Sequence, residues 1–103
     1  EAVRYINEHS GADITLGELA DLSGVSPQYF GRVFRQRLDM RPMEYVARVK
    51  VSKAKTMLLD SDIPVAELSQ RLGYTSPTYF GIVFRKYEGV SPSEFRKNRG
   101  NII

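Results

Sequence analysis

SPQYFGRVFR occupies Ser26–Arg35, and SPTYFGIVFR occupies Ser76–Arg85. Eight of the ten letters agree across a spacing of fifty residues. The two that differ, Gln28 against Thr78 and Arg32 against Ile82, fall at polar or surface-type positions of an aromatic-rich string. Each string reads as the start of a helix. A serine supplies the N-cap, a proline sits in the first turn where its missing N–H costs nothing, and the first copy runs on to about Arg37. At about 3.6 residues per turn, Phe30, Val33, Phe34 and Leu38 share one arc and are expected in a core, while Gln28, Arg32, Arg35 and Gln36 point the other way. In the second copy Phe80, Val83 and Phe84 are the expected core, and Thr78, Ile82, Arg85 and Lys86 face out. Tyr29 and Tyr79 lie on the flank, where a ring packs while its hydroxyl reaches a phosphate or a backbone group.

The correspondence extends in both directions. Upstream, at an offset of 49, Leu16, Glu18, Leu19 and Gly24 answer to Val65, Glu67, Leu68 and Gly73, so the second turn carries one additional residue, Gly-Tyr-Thr-Ser-Pro against Gly-Val-Ser-Pro. Downstream, Pro42, Glu44 and Tyr45 answer to Pro92, Glu94 and Phe95. A whole unit is therefore duplicated. In the first unit Thr15 caps a helix with Glu18 completing a capping box, Leu16, Leu19, Ala20 and Leu22 or Ser23 turn inward, and Gly24 ends the helix. In the second a helix is predicted from Pro64 to about Leu72, followed by a turn at Gly73. Two helices joined by a short glycine-bearing turn make a helix-turn-helix.

Between the units, Met43–Leu59 lacks Gly and Pro and predicts one continuous helix. Val46, Val49 or Lys50, Ala54 with Lys53, and Met57 with Leu58 form its apolar stripe, and Arg48, Lys50, Lys53 and Lys55 supply charge. Seventeen helical residues span about 25 Å, a rod able to hold two readers near the roughly 34 Å of one duplex turn. Arg48, near its start, is either a phosphate contact or an exposed arginine without a partner.

Composition narrows the function. The chain has 103 residues, 42% of them apolar and 26% charged, and suits one compact domain. It has no cysteine, which excludes disulfides and thiolate metal sites and fits a reducing cytosol. No apolar run reaches membrane-spanning length. The chain opens on Glu1 in a helix-like pattern and is expected to be a piece of something longer. The net charge of +3 is unevenly spread. Residues 1–25 hold one base and five acids, residues 26–57 eight bases and two acids, residues 58–70 three acids, and residues 71–103 six bases and two acids. Basic charge rises twice, each time with the repeated string, as an anionic partner requires. A helical protein-interaction array also repeats two-helix units, but needs more copies and no basic faces. Enzyme chemistry lacks its parts. His9 is the single histidine and reads as a surface or capping residue, and there is no glycine-rich phosphate loop. Double-stranded RNA is disfavoured because its major groove is too narrow for a helix.

LGELADLSGVSPQYFGRVFR (Leu16–Arg35), PMEYVARV (Pro42–Val49) and VAELSQRLGYTSPTYFGIVFRKYEGVSPSEFR (Val65–Arg96) together resemble the DNA-binding domain of the AraC/XylS family of bacterial transcription regulators. The resemblance covers about Val3 to Arg99. It implies an all-α fold of seven helices, with helix-turn-helix subdomains at residues 1–41 and 60–103 joined by a linker helix at 42–59. Both second helices would enter adjacent major grooves on one face of a promoter duplex. By position, base contacts fall on Gln28, Gly31 and Arg32 in the first unit and on Thr78, Gly81 and Ile82 in the second. Ser26, Tyr29, Arg35, Gln36, Arg48, Thr75, Ser76, Tyr79, Arg85 and Lys86 complete the expected DNA-binding set. Gly31 and Gly81 have no side chain to offer a base and are expected to allow a close approach to a neighbouring helix or to the phosphate backbone. Ile82 stands where family members often carry a polar or basic residue. Arg32 is expected to read guanine, Gln28 adenine, and Ile82 a thymine methyl or nothing. The resemblance further implies no cofactor, a cytoplasmic, nucleoid-associated location, activation by recruiting RNA polymerase, and a monomeric state for this piece. A longer protein would carry an effector-sensing, dimerising part or a receiver domain.

Overall fold

The computed structural model describes residues 2–98, which form helices and connecting turns throughout. In order these are α1 (Ala2–Glu8), α2 (Leu16–Ser23), α3 (Pro27–Leu38), α4 (Pro42–Asp60), α5 (Val65–Arg71), α6 (Pro77–Glu88) and α7 (Pro92–Lys97). Their boundaries follow from local chemistry. Thr15 Oγ1 accepts from the Glu18 amide and Glu18 Oε1 accepts from the Thr15 amide, both at 3.1 Å, closing the capping box. Gly24 ends α2 at φ 70°. Ser26 and Ser76 accept from the amides of Tyr29 and Tyr79 at 3.2 and 3.1 Å, with Pro27 and Pro77 beside them. The duplication persists in the backbone: α3 and α6 both end in a left-handed residue, Asp39 at φ 57° and Gly89 at φ 83°. α5 is one residue shorter at each end than its expected span. Pro64 stays outside as cap, and the additional residue of the second turn is taken up by Leu72 and by Gly73 at φ 86°.

Two hydrophobic cores form, one per unit. Ile6, Ile14, Leu19, Ala20, Phe30, Phe34 and Val46 build the first. Val51, Ala54, Leu58, Leu68, Leu72, Phe80, Val83, Phe84 and Phe95 build the second. α4 serves both, so it is a wall of each core as well as the strut between them. At its far end the Arg96 guanidinium donates to the carbonyls of Leu58 and Ser61, both at 3.1 Å, and fastens α7 to the end of the strut.

The first core departs from expectation in three places. Leu38 is 38% exposed and Val33 only half-buried, on an open apolar groove that Ala2 and Val3 line on one side and Val33 and Leu38 on the other. Leu22 is 51% exposed, and Ser23 is exposed too, its hydroxyl bonded back to the Leu19 carbonyl. Helical periodicity gives a side chain its direction, not a neighbour to cover it. On α4 the buried member of the pair Val49 and Lys50 is the lysine, 5% exposed.

Candidate nucleic-acid interface

The outward face of α3 is built by subtraction. Phe30 and Phe34 fix the helix on its core, ring centroids 5.6 Å apart, and this rotation leaves Gln28, Arg32, Arg35 and Gln36 exposed. Arg32 lies along the Tyr29 ring, its guanidinium carbon 5.6 Å from the centroid, which limits the side chain's freedom while leaving its N–H groups outward. Ser26 is engaged as the helix cap.

α6 presents the equivalent face with different chemistry. Phe80 and Phe84 anchor it, and Thr78, Ile82, Arg85 and Lys86 are exposed, Ile82 at 63% and the flanking Tyr79 at 58%. Thr75 is exposed just ahead of the Ser76 cap. Arg85 lies 3.7 Å from Glu94, whose carboxyl is held below its usual range by the backbone and side-chain hydrogen bonds of Ser91, with Arg85 contributing less. That contact is long and solvated, so it holds the guanidinium loosely. Beneath Tyr79, burial raises the Tyr74 hydroxyl to about 12, with Tyr79 and Tyr87 adding to the shift.

The start of α4 joins the two faces. One groove runs from Gln28, Arg32 and Arg35 to Arg41 and Met43. A second runs from the same Arg41 and Met43 to Tyr79, Ile82 and Lys86. The free faces of α3 and α6 therefore border a common surface, opening on either side of one pair of residues. Arg48 is neither free nor unpartnered: Glu44 accepts its N–H groups at 3.2 and 3.3 Å, and its guanidinium carbon lies 4.9 Å from the centre of the Tyr87 ring. Lys86 approaches the same ring at 5.5 Å.

A family profile described as a helix-turn-helix domain matches residues 19–98. The chain belongs to the AraC/XylS family. Its relatives include the Bacillus subtilis transcriptional regulatory protein YesN, 38% identical over 82 residues, covering 78% of this chain and 22% of the relative. The Escherichia coli arabinose operon regulatory protein is 32% identical over 97 residues, covering 93% of this chain and 33% of the relative. The chain thus spans a third or less of these two curated relatives' length. Among solved structures, the C-terminal domain of AraT, a response regulator from Geobacillus stearothermophilus, superposes with a TM-score of 0.91 at 34% identity, covering 94% of this chain and 81% of that one. The DNA-binding domain of AdpA, in complex with a target DNA, superposes with a TM-score of 0.90 at 29% identity, covering 96% and 90%. The family is one of DNA-binding transcription regulators, not of enzymes.

Within this AraC-type fold, His9 is an exposed cap: its Nδ1 is 3.0 Å from the Tyr5 carbonyl, and the two rings stack with centroids 4.1 Å apart. Among the described residues no helix is long and apolar enough to cross a membrane. Gly31 and Gly81 need correction. A Cβ built at either position meets nothing within 4 Å, so neither glycine accommodates a neighbouring helix of the protein. Sequence reasoning missed Arg41 and Met43. The signal was there, because the duplicate of Arg41-Pro42-Met43 is Ser91-Pro92-Ser93. These are rewritten exposed positions, like those that drew attention to α3.

Proposed function

We propose that this domain lays α3 and α6 into successive major grooves of promoter DNA from one side, with the units at residues 1–41 and 60–103 held on the strut at 42–59. The observation that supports this reading is that the grooves beside the free faces of α3 and α6 share Arg41 and Met43. A long dimension of 43 Å accommodates two readers about 34 Å, or one duplex turn, apart. The AdpA DNA-binding domain, which superposes on this chain and is bound to a target DNA, supports DNA as the partner. Arg32 reads a guanine bidentately, Gln28 an adenine, Thr78 a base edge and Ile82 a thymine methyl. Arg35, Arg85 and Lys86 hold phosphates, with Tyr29, Tyr79, Gln36 and Thr75 along the backbone and the amides at the Ser26 and Ser76 caps in reach of it. Arg48 serves by bracing α6 through Tyr87 and reaches a phosphate only by leaving Glu44. Activation through RNA polymerase, a monomeric state for this piece and dimerisation of a longer protein belong to the same proposal.

Selection of bound duplexes from a random pool tests it, with two short preferred boxes about 10 base pairs apart as the expected result. Arg32→Ala should cost about 1–3 kcal/mol and flatten the preference at one base, whereas Arg35→Ala, Arg85→Ala and Lys86→Ala should weaken all sequences alike. A base-preference profile unchanged by Arg32→Ala removes that residue from the reading set.

Gly81 gives a second check. Because nothing among the described residues opposes a Cβ there and φ is not positive, Gly81→Ala should raise stability by about 0.5–1 kcal/mol in a urea melt. The same methyl intrudes where the helix backbone meets the duplex, so affinity should fall in titrations of the same preparation. Retained affinity would mean that α6 does not approach the duplex closely at this turn.

A further inference from the structure

The buried stripe of α4 is apolar at Val46, Val51, Ala54 and Leu58 but carries an ammonium near its middle. Lys50 Nζ donates to the carbonyls of Ser10 at 2.8 Å, Ala12 at 2.7 Å and Leu72. An ammonium has three donors and no acceptor, so this arrangement satisfies it completely. The acceptors come from different units. Ser10 and Ala12 lie in the loop between α1 and α2, and Leu72 closes α5. Among the described residues no substantial helix-to-helix contact joins the two units except through α4, so these bonds form a bridge that the cores do not supply.

The backbone around the bridge is shaped to let the units touch. A Cβ at Gly73 would lie 2.7 Å from the Ala12 carbonyl oxygen and 2.9 Å from Lys50 Nζ, and one at Gly11 would lie 2.8 Å from the Arg71 carbonyl oxygen. Burial lowers the lysine's pKa, and Asp13 opposes that shift. Lys53 adds a bond from α4 to the Asn7 carbonyl at 2.9 Å, but this stays within the first unit. Lys50 alone among the linker cations is held by both.

We infer that Lys50 is a positioning residue, a three-carbonyl clasp that fixes the angle and separation of the two helix-turn-helix units and so sets which spacing between DNA boxes the domain accepts. The inference rests on the duplex-reading role above, but the clasp is also measurable without DNA. Lys50→Met keeps the aliphatic stem and removes the donors. Gly11→Ala leaves the ammonium in place and drives a methyl between the units, at a glycine whose φ is not positive.

Both changes should be read in two ways. Nitroxide labels on cysteines placed at Asp21 and Ala66, exposed positions on α2 and α5, report the inter-unit distance by pulsed electron resonance in a chain that has no native cysteine. The parent should give one narrow distance distribution, and each variant one at least about twofold broader or displaced. Affinities for duplexes with the two boxes separated by a series of spacers should show a sharp optimum for the parent and a flattened or shifted one for the variants, while affinity for either box alone changes little. A simple loss of folded protein would lower all spacers together and leave the profile's shape intact. If Lys50→Met does not fold, Gly11→Ala decides. Unchanged distance distributions, or broadened ones with an unchanged spacer profile, overturn the inference. Absence of all duplex binding, parent included, overturns the role in spacing together with the functional reading, and the label distances then report on the clasp by itself.

Discussion

Phe84→Ala is expected to remove about 3–5 kcal/mol of folding free energy, a large part of the roughly 5–15 kcal/mol that holds a domain of this size together. Phe84 is fully buried where α4, α6 and α7 meet, with Phe80 at 5.9 Å and Phe95 edge-on at 5.6 Å between ring centroids. Phe84 has 0% exposure, so its ring is enclosed on all sides. Its counterpart Phe34, which lines the open groove beside α1, retains 7% exposure, so Phe34→Ala should cost less. Urea melts followed by circular dichroism compare the two. Because the cores are separate apart from α4, hydrogen exchange in Phe84→Ala should accelerate first at Leu68 and Phe80, with Leu19 and Phe30 keeping more protection. Equal costs for the two phenylalanines, or uniform loss of protection, would contradict this division of the core.

The duplicated strings made most of this architecture legible. Caps, left-handed glycines and the phenylalanine pairs are local features, and local features repeat recognisably. Gly24, Ser26 and Phe80 stand where their residue types demand. The linker helix was legible as a rod but not as a wall of both cores, because whether Val49 or Lys50 faces inward depends on what packs against it, and the buried Val51 was not in the expected stripe. Lys50 was the least legible residue. A lysine in a basic helix reads as surface charge, and its three acceptors are main-chain carbonyls up to forty residues away, which leave no mark in side-chain identity. Leu22 and Leu38 failed for the opposite reason: an apolar residue on the right arc is buried only if a neighbour reaches it, and both stay exposed, at 51% and 38%. At the candidate interface the outward residues of α3 and α6 followed from periodicity alone. That their faces share a border at Arg41 and Met43 is a tertiary fact, hinted at only where the second copy substitutes serines.

Duplex affinity should fall about 250-fold between 50 and 200 mM monovalent salt, the consequence of a log–log slope near −4 for four to five neutralised phosphates. The cations available are Arg35, Arg41, Arg85 and Lys86, all exposed, with Arg48 partly withdrawn by Glu44. The slope also separates two kinds of contact on one helix face. Lys86→Ala and Arg35→Ala should each make it shallower by about 0.9, since each releases one counterion fewer, and should do so on any sequence. Arg32→Ala, if its guanidinium is committed to a base edge, should lose affinity for the preferred duplex while leaving the slope near the parent value. Ile82→Ala should alter neither the slope nor any preference except at a thymine, because a methyl contact displaces no ions. A slope near zero for the parent would mean that its basic faces meet a protein rather than a polyanion, and the grooves flanking Met43 would then need a different occupant.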